Sequence, residues 1–310
     1  MAALEILGLS KSYSVGFWRK SLKPALQPLH LTVEEGETFG FLGPNGAGKT
    51  TTLKLLMGII FPTAGSARIM GRDFHDPEIK RLVGFLPEQP YFYDYLTAPE
   101  LLDYYAQLSG VTAAERKKRI PSLLDRVGLA DAGGKQLRKF SKGMLQRVGI
   151  AQAITHDPEI VILDEPMSGL DPVGRREIRE LIQQLKSEGK TIFFSTHILS
   201  DAEALCDRVA VIYKGELRGV GVVEDLKSKI ADTAEVVWQG VHALERVSGL
   251  VIKSNVIGDT VRGVVSSRNT DALLEKLRAE RARLISLTPV HGGLEDYFIS
   301  HTSEREGVNA

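Results

Sequence analysis

Gly43-Pro44-Asn45-Gly46-Ala47-Gly48-Lys49-Thr50 has the spacing G-x-x-x-x-G-K-T, in which glycines let backbone N–H groups turn inward around phosphate oxygens. Lys49 would reach the β- and γ-phosphates of a nucleotide and Thr50 would ligate magnesium, with Thr51 also expected among the ATP-binding residues. The run follows a short apolar stretch, Thr38-Phe39-Gly40-Phe41-Leu42, and opens a helix expected from Thr50 to Met57. A helix N-terminus adds partial positive charge where the phosphates would lie. A glycine-rich turn with an incidental lysine would lack both neighbours.

A second constellation is Ile160-Val161-Ile162-Leu163-Asp164-Glu165. A buried apolar strand delivers two carboxylates to the carboxyl edge of a sheet, where ligands bind. Asp164 suits the magnesium shell, through water, and Glu165 can polarise an attacking water as general base. Three further segments fall in order around it. Phe140-Ser141-Lys142-Gly143-Met144 precedes the acidic strand by about 16 residues, Ser168-Gly169-Leu170-Asp171 follows directly, and Ser195-Thr196-His197 ends the next strand.

The elements that must hold these residues alternate. The strand at 160–163 is apolar on both faces, as a central parallel strand is. Ile178, Leu181, Ile182 and Leu185 mark one face of a helix that Gly189 closes, and Thr191 to Ser195 is the next strand. This rhythm predicts an α/β domain with a largely parallel sheet over residues 1–225. Within it, Thr97-Ala98-Pro99-Glu100 reads as a capping box opening a helix of Leu101, Leu102, Tyr105 and Leu108, and Ile120, Leu123, Leu124 and Val127 mark another. A helical subdomain at about 90–155 is expected. Arg208 to Val220 reads as a hairpin turning at Lys214-Gly215. Residues 226–310 predict a small α+β domain, with strands at 234–238, 260–265 and 283–287 and a helix at 271–280.

In order and spacing the motifs resemble those of the ATP-binding cassette (ABC) ATPases over roughly residues 4 to 225. The resemblance implies the P-loop NTPase fold with an inserted helical subdomain. It makes Gly43 to Thr50 the Walker A loop, residues 160–165 the Walker B strand with its catalytic Glu165, and Ser141, Lys142, Gly143 and Met144 the signature. Asp171 falls in the D-loop, His197 is the switch histidine that senses the γ-phosphate, and Tyr13 is the aromatic that stacks on adenine. ATP and Mg²⁺ are the implied ligands. In such proteins ATP lies between the phosphate loop of one chain and the signature serine of another, so this chain is expected to pair with itself or a related subunit.

Two departures stand out. The signature reads F-S-K-G-M, with Lys142 and Met144 in place of a glycine and a glutamine, while Ser141 and Gly143 are kept. The Q-loop reads Gly84-Phe85-Leu86-Pro87-Glu88-Gln89; alignment puts Glu88 in the metal-sensing place with Gln89 one step on, and both are candidates. These departures, the aromatic stretch after the Q-loop and the small C-terminal domain resemble the ATP-binding subunits of bacterial ABC-2-type exporters. In those systems the integral membrane permease is a separate chain. Gly293-Leu294-Glu295-Asp296-Tyr297-Phe298 resembles the L-E-D-x-F segment that often closes them. The resemblance implies export and a peripheral place on the cytoplasmic face of the cell membrane, held by the permease; the alternative is a non-transport ABC ATPase with a regulatory, ribosome- or DNA-associated role.

Composition narrows the classes. Of 310 residues, 43% are apolar and 25% charged, and 39 basic residues balance 39 acidic ones, so no overall field favours a nucleic-acid partner. The single Cys206 forms no internal disulfide, which fits a reducing cytosol, and reads as a small buried residue on a helix. The N-terminus shows no signal peptide. The longest uncharged stretch, 55–67, is about 13 residues and is broken by Gly58, Pro62 and Gly65, so the chain is not expected to span a membrane alone. His30, His75, His156, His242, His291 and His301 have no metal-ligand spacing, and no metal but magnesium is expected. Among the clustered aromatics, Tyr91 to Tyr95 suit an interface for a permease segment and Tyr104 and Tyr105 suit core. Glu115 to Arg119 reads as a solvated helix face, and Phe17-Trp18-Arg19-Lys20 as an exposed loop.

Overall fold

The apolar runs beside the phosphate loop become the middle of a six-stranded sheet. A computed structural model describes residues 1–16, 21–229, 233–290 and Leu294. Phe17 to Lys20, Gly293, Glu295 to Phe298, His291 and His301 lie outside the described residues. Two compact units divide the chain, Met1–Gly221 and Val222–Ala310.

In the first unit β1 (Ala2–Val15) and β2 (Ser21–Glu34) form a long antiparallel hairpin, and β3 (Thr38–Leu42) and α1 (Lys49–Leu56) bracket the phosphate loop. β4 (Ala64–Ile69) and β5 (Arg72–Asp73) complete a four-stranded sheet in the order β2-β1-β4-β5. β6 (Val83–Leu86) leads to the helices α2 (Ala98–Leu108), α3 (Ala113–Arg126) and α4 (Lys142–Ala153). The alternation then resumes with β7 (Ile160–Asp164), α5 (Pro172–Ser187), β8 (Thr191–Thr196), α6 (Leu199–Leu205), β9 (Arg208–Tyr213) and β10 (Glu216–Val222). β9 and β10 meet at Lys214 and Gly215, whose φ of 49° and 80° suit a tight hairpin turn.

The large sheet runs β10-β9-β3-β8-β7-β6, with β9, β3, β8, β7 and β6 parallel. Every residue of β3, β7 and β8 is buried, which is why Phe39 to Leu42, Ile160 to Leu163 and Ile192 to Phe194 run without polar alternation. Side chains alternate between two cores. Val161, Leu163, Ile192 and Phe194 pack with Val148 and Ile150 of α4 and Ile178 and Ile182 of α5. Ile160, Ile162, Phe193, Phe39 and Phe41 pack with Leu4, Ile6 and Leu9 of β1 and Leu53 and Leu56 of α1. Register then sets the site: Leu42 lies beside Thr196, Asp164 beside Ser195, and Leu86 beside Leu163. Four strands therefore end together, and the residues just past their carboxyl ends share one edge.

Both α2 and α3 open with capping boxes, Thr97 with Glu100 and Thr112 with Glu115. Leu101, Leu102, Ile120, Leu123, Leu124 and Val127 join α4 in one core, with Tyr105 against it. Tyr104 departs from the expected core role: it is 41% exposed and meets Tyr93 edge-on at 5.8 Å. It lies two residues past Leu102, about 200° around the helix, on the side away from the buried stripe. Leu108, the last residue of α2, is also exposed. The charged run of α3 is not wholly solvated either. Arg116 reaches Asp103 at 2.7 Å and Arg119 donates to the Thr155 carbonyl at 2.9 Å, leaving Glu115, Lys117 and Lys118 exposed. Cys206 follows α6 rather than lying on it; its sulfur packs against Gly40, and burial pushes its thiol pKa well up.

The second unit begins with α7 (Val223–Lys229) and builds β11 (Thr233–Gln239), α8 (Leu244–Val247), β12 (Val251–Ile257), β13 (Thr260–Ser266), α9 (Thr270–Ala279) and β14 (Arg283–Val290). Its antiparallel sheet has the order β12-β13-β11-β14, the βαββαβ arrangement of ferredoxin-like folds. Trp238, Val236, Val261, Val265, Leu273 and Leu277 form its core. β12 had no strand signal in the sequence, because Lys253, Ser254 and Asn255 interrupt its apolar residues on an exposed edge. Among the described residues no helix is long and apolar enough to cross a membrane.

Candidate functional site

The shared edge carries a cavity of about 240 Å³ lined by Ala25, Asn45, Gly46, Gly48, Lys49, Thr50, Thr51, Glu88 and Glu165. The phosphate loop turns at Gly46 and Gly48, with φ of 79° and 110°. At Gly48 a side chain is excluded twice, by that left-handed backbone and by the Ala25 carbonyl, 2.8 Å from where a Cβ would stand. Ala47 is buried beneath the loop, and its N–H donates to the Pro44 carbonyl at 3.2 Å. Lys49, the first residue of α1, is 5% exposed; its Nζ donates to the Gly43 carbonyl at 2.7 Å and the Pro44 carbonyl at 3.3 Å.

Glu165, one residue past β7, is 6% exposed and has φ of 49°, a left-handed turn unusual for a residue with a side chain. That turn brings its carboxylate to the mouth of the loop. Oε1 lies 3.0 Å from Lys49 Nζ, and Oε2 lies 2.9 Å from His197 Nδ1. With a proton on Nδ1 the imidazole donates to the carboxylate. Three residues far apart in sequence thus form one chain of contacts, Lys49–Glu165–His197, buried at Lys49 and Glu165 and open to solvent at His197.

Asp164 lies behind Glu165. Burial, the largest influence, pushes its carboxyl above the ordinary range; the hydroxyls of Ser195 and Thr50 hydrogen-bond to it and oppose the shift, while the charges of Glu88 and Glu165 add to it. Thr50 and Asp164 thus present a hydroxyl and a carboxylate together. Hard oxygen donors of this kind, few in number and beside a phosphate loop, fit a magnesium ion, which keeps several waters and borrows phosphate oxygens. Glu88 lines the cavity and Gln89 does not.

Because the Asp164 pKa is raised in the fold, the stability associated with that group is fullest below the ordinary carboxylate range and is lost as pH rises through the raised value. Glu88→Gln removes one of the two repelling charges. It is expected to stabilise the chain at neutral pH by about 0.2–0.5 kcal/mol, small because the exposed Glu88 is screened. Urea unfolding at neutral pH and again in acid checks this, the gain vanishing where Asp164 is protonated.

Other expected site residues stand elsewhere. Ser141 caps α4, its hydroxyl accepting from the Met144 N–H at 3.3 Å, and Asp171 caps α5, accepting from the Gly174 N–H at 2.7 Å. Lys142 lays its ammonium against Gly169, and Gly143 approaches Leu170, so the signature segment and the D-loop touch within one chain. None of residues 141–144, nor Asp171, lines the cavity. Tyr13 lies beside Lys23 on the β1–β2 hairpin, half exposed, with Lys11 Nζ 5.2 Å from its ring centroid; Ala25 of the same hairpin lines the cavity and Tyr13 does not. Ser195 carried no role of its own in the sequence, yet it bonds to both acidic residues. Its only signal was its place before Thr196-His197.

Known proteins match this chain in sequence and in fold. The ABC transporter family profile matches residues 26–168. An uncharacterized ABC transporter ATP-binding protein of Synechocystis sp. is 46% identical over 304 residues, 97% of this chain and 85% of that protein. The chain belongs to the ABC transporter ATP-binding proteins. The bacitracin transport ATP-binding protein BcrA of Bacillus licheniformis is 39% identical over 283 residues, 87% of this chain and 90% of that one. An ATP-binding cassette solved as a dimer in a post-hydrolysis state with ADP and Pi superposes with a TM-score of 0.63 at 27% identity, over 71% of this chain and 98% of that one. The α/β P-loop fold expected from the motifs is therefore the fold of this ABC ATP-binding chain. Members of the family bind and hydrolyse ATP.

Proposed function

We propose that this chain is the Mg²⁺-dependent ATPase subunit of an exporter whose permease is a separate membrane protein. The observation that carries the hydrolytic role is the clamp on Glu165, one oxygen at Lys49 and the other at His197, at the mouth of the phosphate cavity. When phosphates engage Lys49, Oε1 becomes available to accept a proton from water, while His197 holds Oε2 and keeps the carboxylate aimed. The loop amides at residues 45–50 bind the phosphates, and Thr50 with Asp164, the latter through water, would hold magnesium, whose charge offsets that of the phosphates. Glu88, on the cavity wall, fills the Q-loop role rather than Gln89. Tyr13 stacks on the adenine.

The signature residues Ser141 to Met144 do not line the cavity of their own chain. A second copy supplies them, together with its Asp171, across a two-fold interface. A transport role is supported by the likeness to the bacitracin transport ATP-binding protein BcrA, which spans most of both chains; export through a separate permease is the reading that the resemblance to ABC-2-type subunits adds. The exposed Tyr91, Tyr93 and Tyr95 suit contact with the permease, which would hold this peripheral subunit at the cytoplasmic membrane face.

Purification of the tagged chain from detergent-solubilised membranes of its source, with mass spectrometry of its companions, tests the export reading. Near-equal recovery of one polytopic permease is expected. Recovery bound instead to ribosomes, DNA or a regulator would leave the ATPase and remove the exporter.

A further inference from the structure

We infer that Ser195 is a positioning residue that sets the metal carboxylate and the general base together, given the ATP-hydrolysing role proposed above. Ser195 is wholly buried on β8, directly beside Asp164 in the parallel register. Its Oγ accepts from the Glu165 backbone N–H at 2.9 Å and lies 2.6 Å from Asp164 Oδ1. A backbone N–H can only donate, so the single hydroxyl proton points at Asp164. One side chain thus has both of its bonds assigned without ambiguity.

Each bond restrains a different part of the site. The bond to Oδ1 fixes the Asp164 rotamer, so that Thr50, which also bonds this carboxylate, meets it in one orientation. The bond from the Glu165 N–H supports the peptide where β7 breaks into its left-handed turn, φ 49°. That turn is what brings Glu165 to Lys49 and His197. Any wholly buried hydroxyl needs a hydrogen-bond partner; what sets Ser195 apart is that both of its partners belong to the acidic pair. Here the hydroxyl ties the rotamer of Asp164 to the backbone angle of Glu165, as outer-shell partners do for ligands of metal sites.

The test uses Ser195→Ala and Ser195→Cys in the full chain. Cysteine keeps the shape with a somewhat larger atom and is only a weak hydrogen-bonding group, so it leaves no cavity and remains readable if alanine unfolds the protein. ATP affinity is measured with and without Mg²⁺ by displacement of a fluorescent ATP analogue, and kcat and KM by phosphate release. Both variants are expected to raise the Mg²⁺ concentration for half-maximal tightening of ATP binding by about 10- to 100-fold, and to lower kcat by a similar factor. Affinity for ATP in EDTA should not fall. A parental Mg²⁺ midpoint in Ser195→Cys would reduce the residue to packing and overturn the inference. So would an equal loss of Mg²⁺-free binding, which marks general distortion. If the parent chain itself shows no Mg²⁺-dependent ATP binding or hydrolysis, the ATPase proposal falls first, and the two failures are told apart by that control.

Discussion

Glu165→Gln is expected to slow ATP hydrolysis by about 10²–10⁴-fold while the chain goes on binding ATP and accumulates as an ATP-bound dimer. Glutamine keeps the shape of the side chain and the backbone turn at φ 49°, so the site should stay assembled. What disappears is the base. Its amide oxygen cannot take the proton from water, and its charge no longer holds Lys49 at 3.0 Å. In the parent, ATP must win Lys49 from the carboxylate; in the variant that competition is gone, so ATP affinity should rise as the rate falls. With hydrolysis blocked, the nucleotide is expected to stay between the phosphate loop and the Ser141 of a second copy. Phosphate release gives the rate, and light scattering after gel filtration with ATP gives the mass. A monomer at saturating ATP would remove the composite site, and a rate within a few-fold of the parent would remove Glu165 as base.

Lys49→Ala should abolish ATP binding in practice, lowering affinity about 100-fold or more, because a charge-assisted contact to phosphate is lost inside a buried site. It should also destabilise the fold. Lys49 and Glu165 are 5% and 6% exposed, so removing one leaves the other's charge buried with His197 as its remaining partner. Breaking a buried pair in this way costs about 3–5 kcal/mol. A double variant, Lys49→Met with Glu165→Gln, should regain most of that stability and none of the binding. Chemical denaturation and nucleotide titration of the three chains check both statements. Equal stability of Lys49→Ala and the parent would mean that the pair is solvated in solution and carries no structural weight.

Features that depend on neighbours in the chain are legible in the sequence alone. Gly43 to Thr50 reads as a phosphate loop because its glycines, its lysine and the flanking strand and helix all lie within residues 38–56. The strand at 160–164 announces itself because burial on both faces demands an unbroken apolar run, and Thr97 with Glu100 caps α2 by a purely local bond pattern. Local rules of this kind also foretold the hairpin at Lys214-Gly215 and the α/β alternation.

Contacts between distant segments were decided by the tertiary structure alone. Whether Glu88 or Gln89 faces the cavity depends on how the chain leaves β6, and Tyr104 is exposed because α2 turns only a narrow stripe inward. The ferredoxin-like sheet includes β12, whose polar residues hide it from any periodicity. Ser195 illustrates the limit most plainly. It meets Asp164 and the Glu165 N–H only because β7 and β8 lie in parallel register, 31 and 30 residues away along the chain. Spacing along a chain encodes turns, caps and faces; it does not encode which strand ends stand side by side, and at this site those strand ends set Lys49, Glu165, His197 and Ser195 within reach of one another.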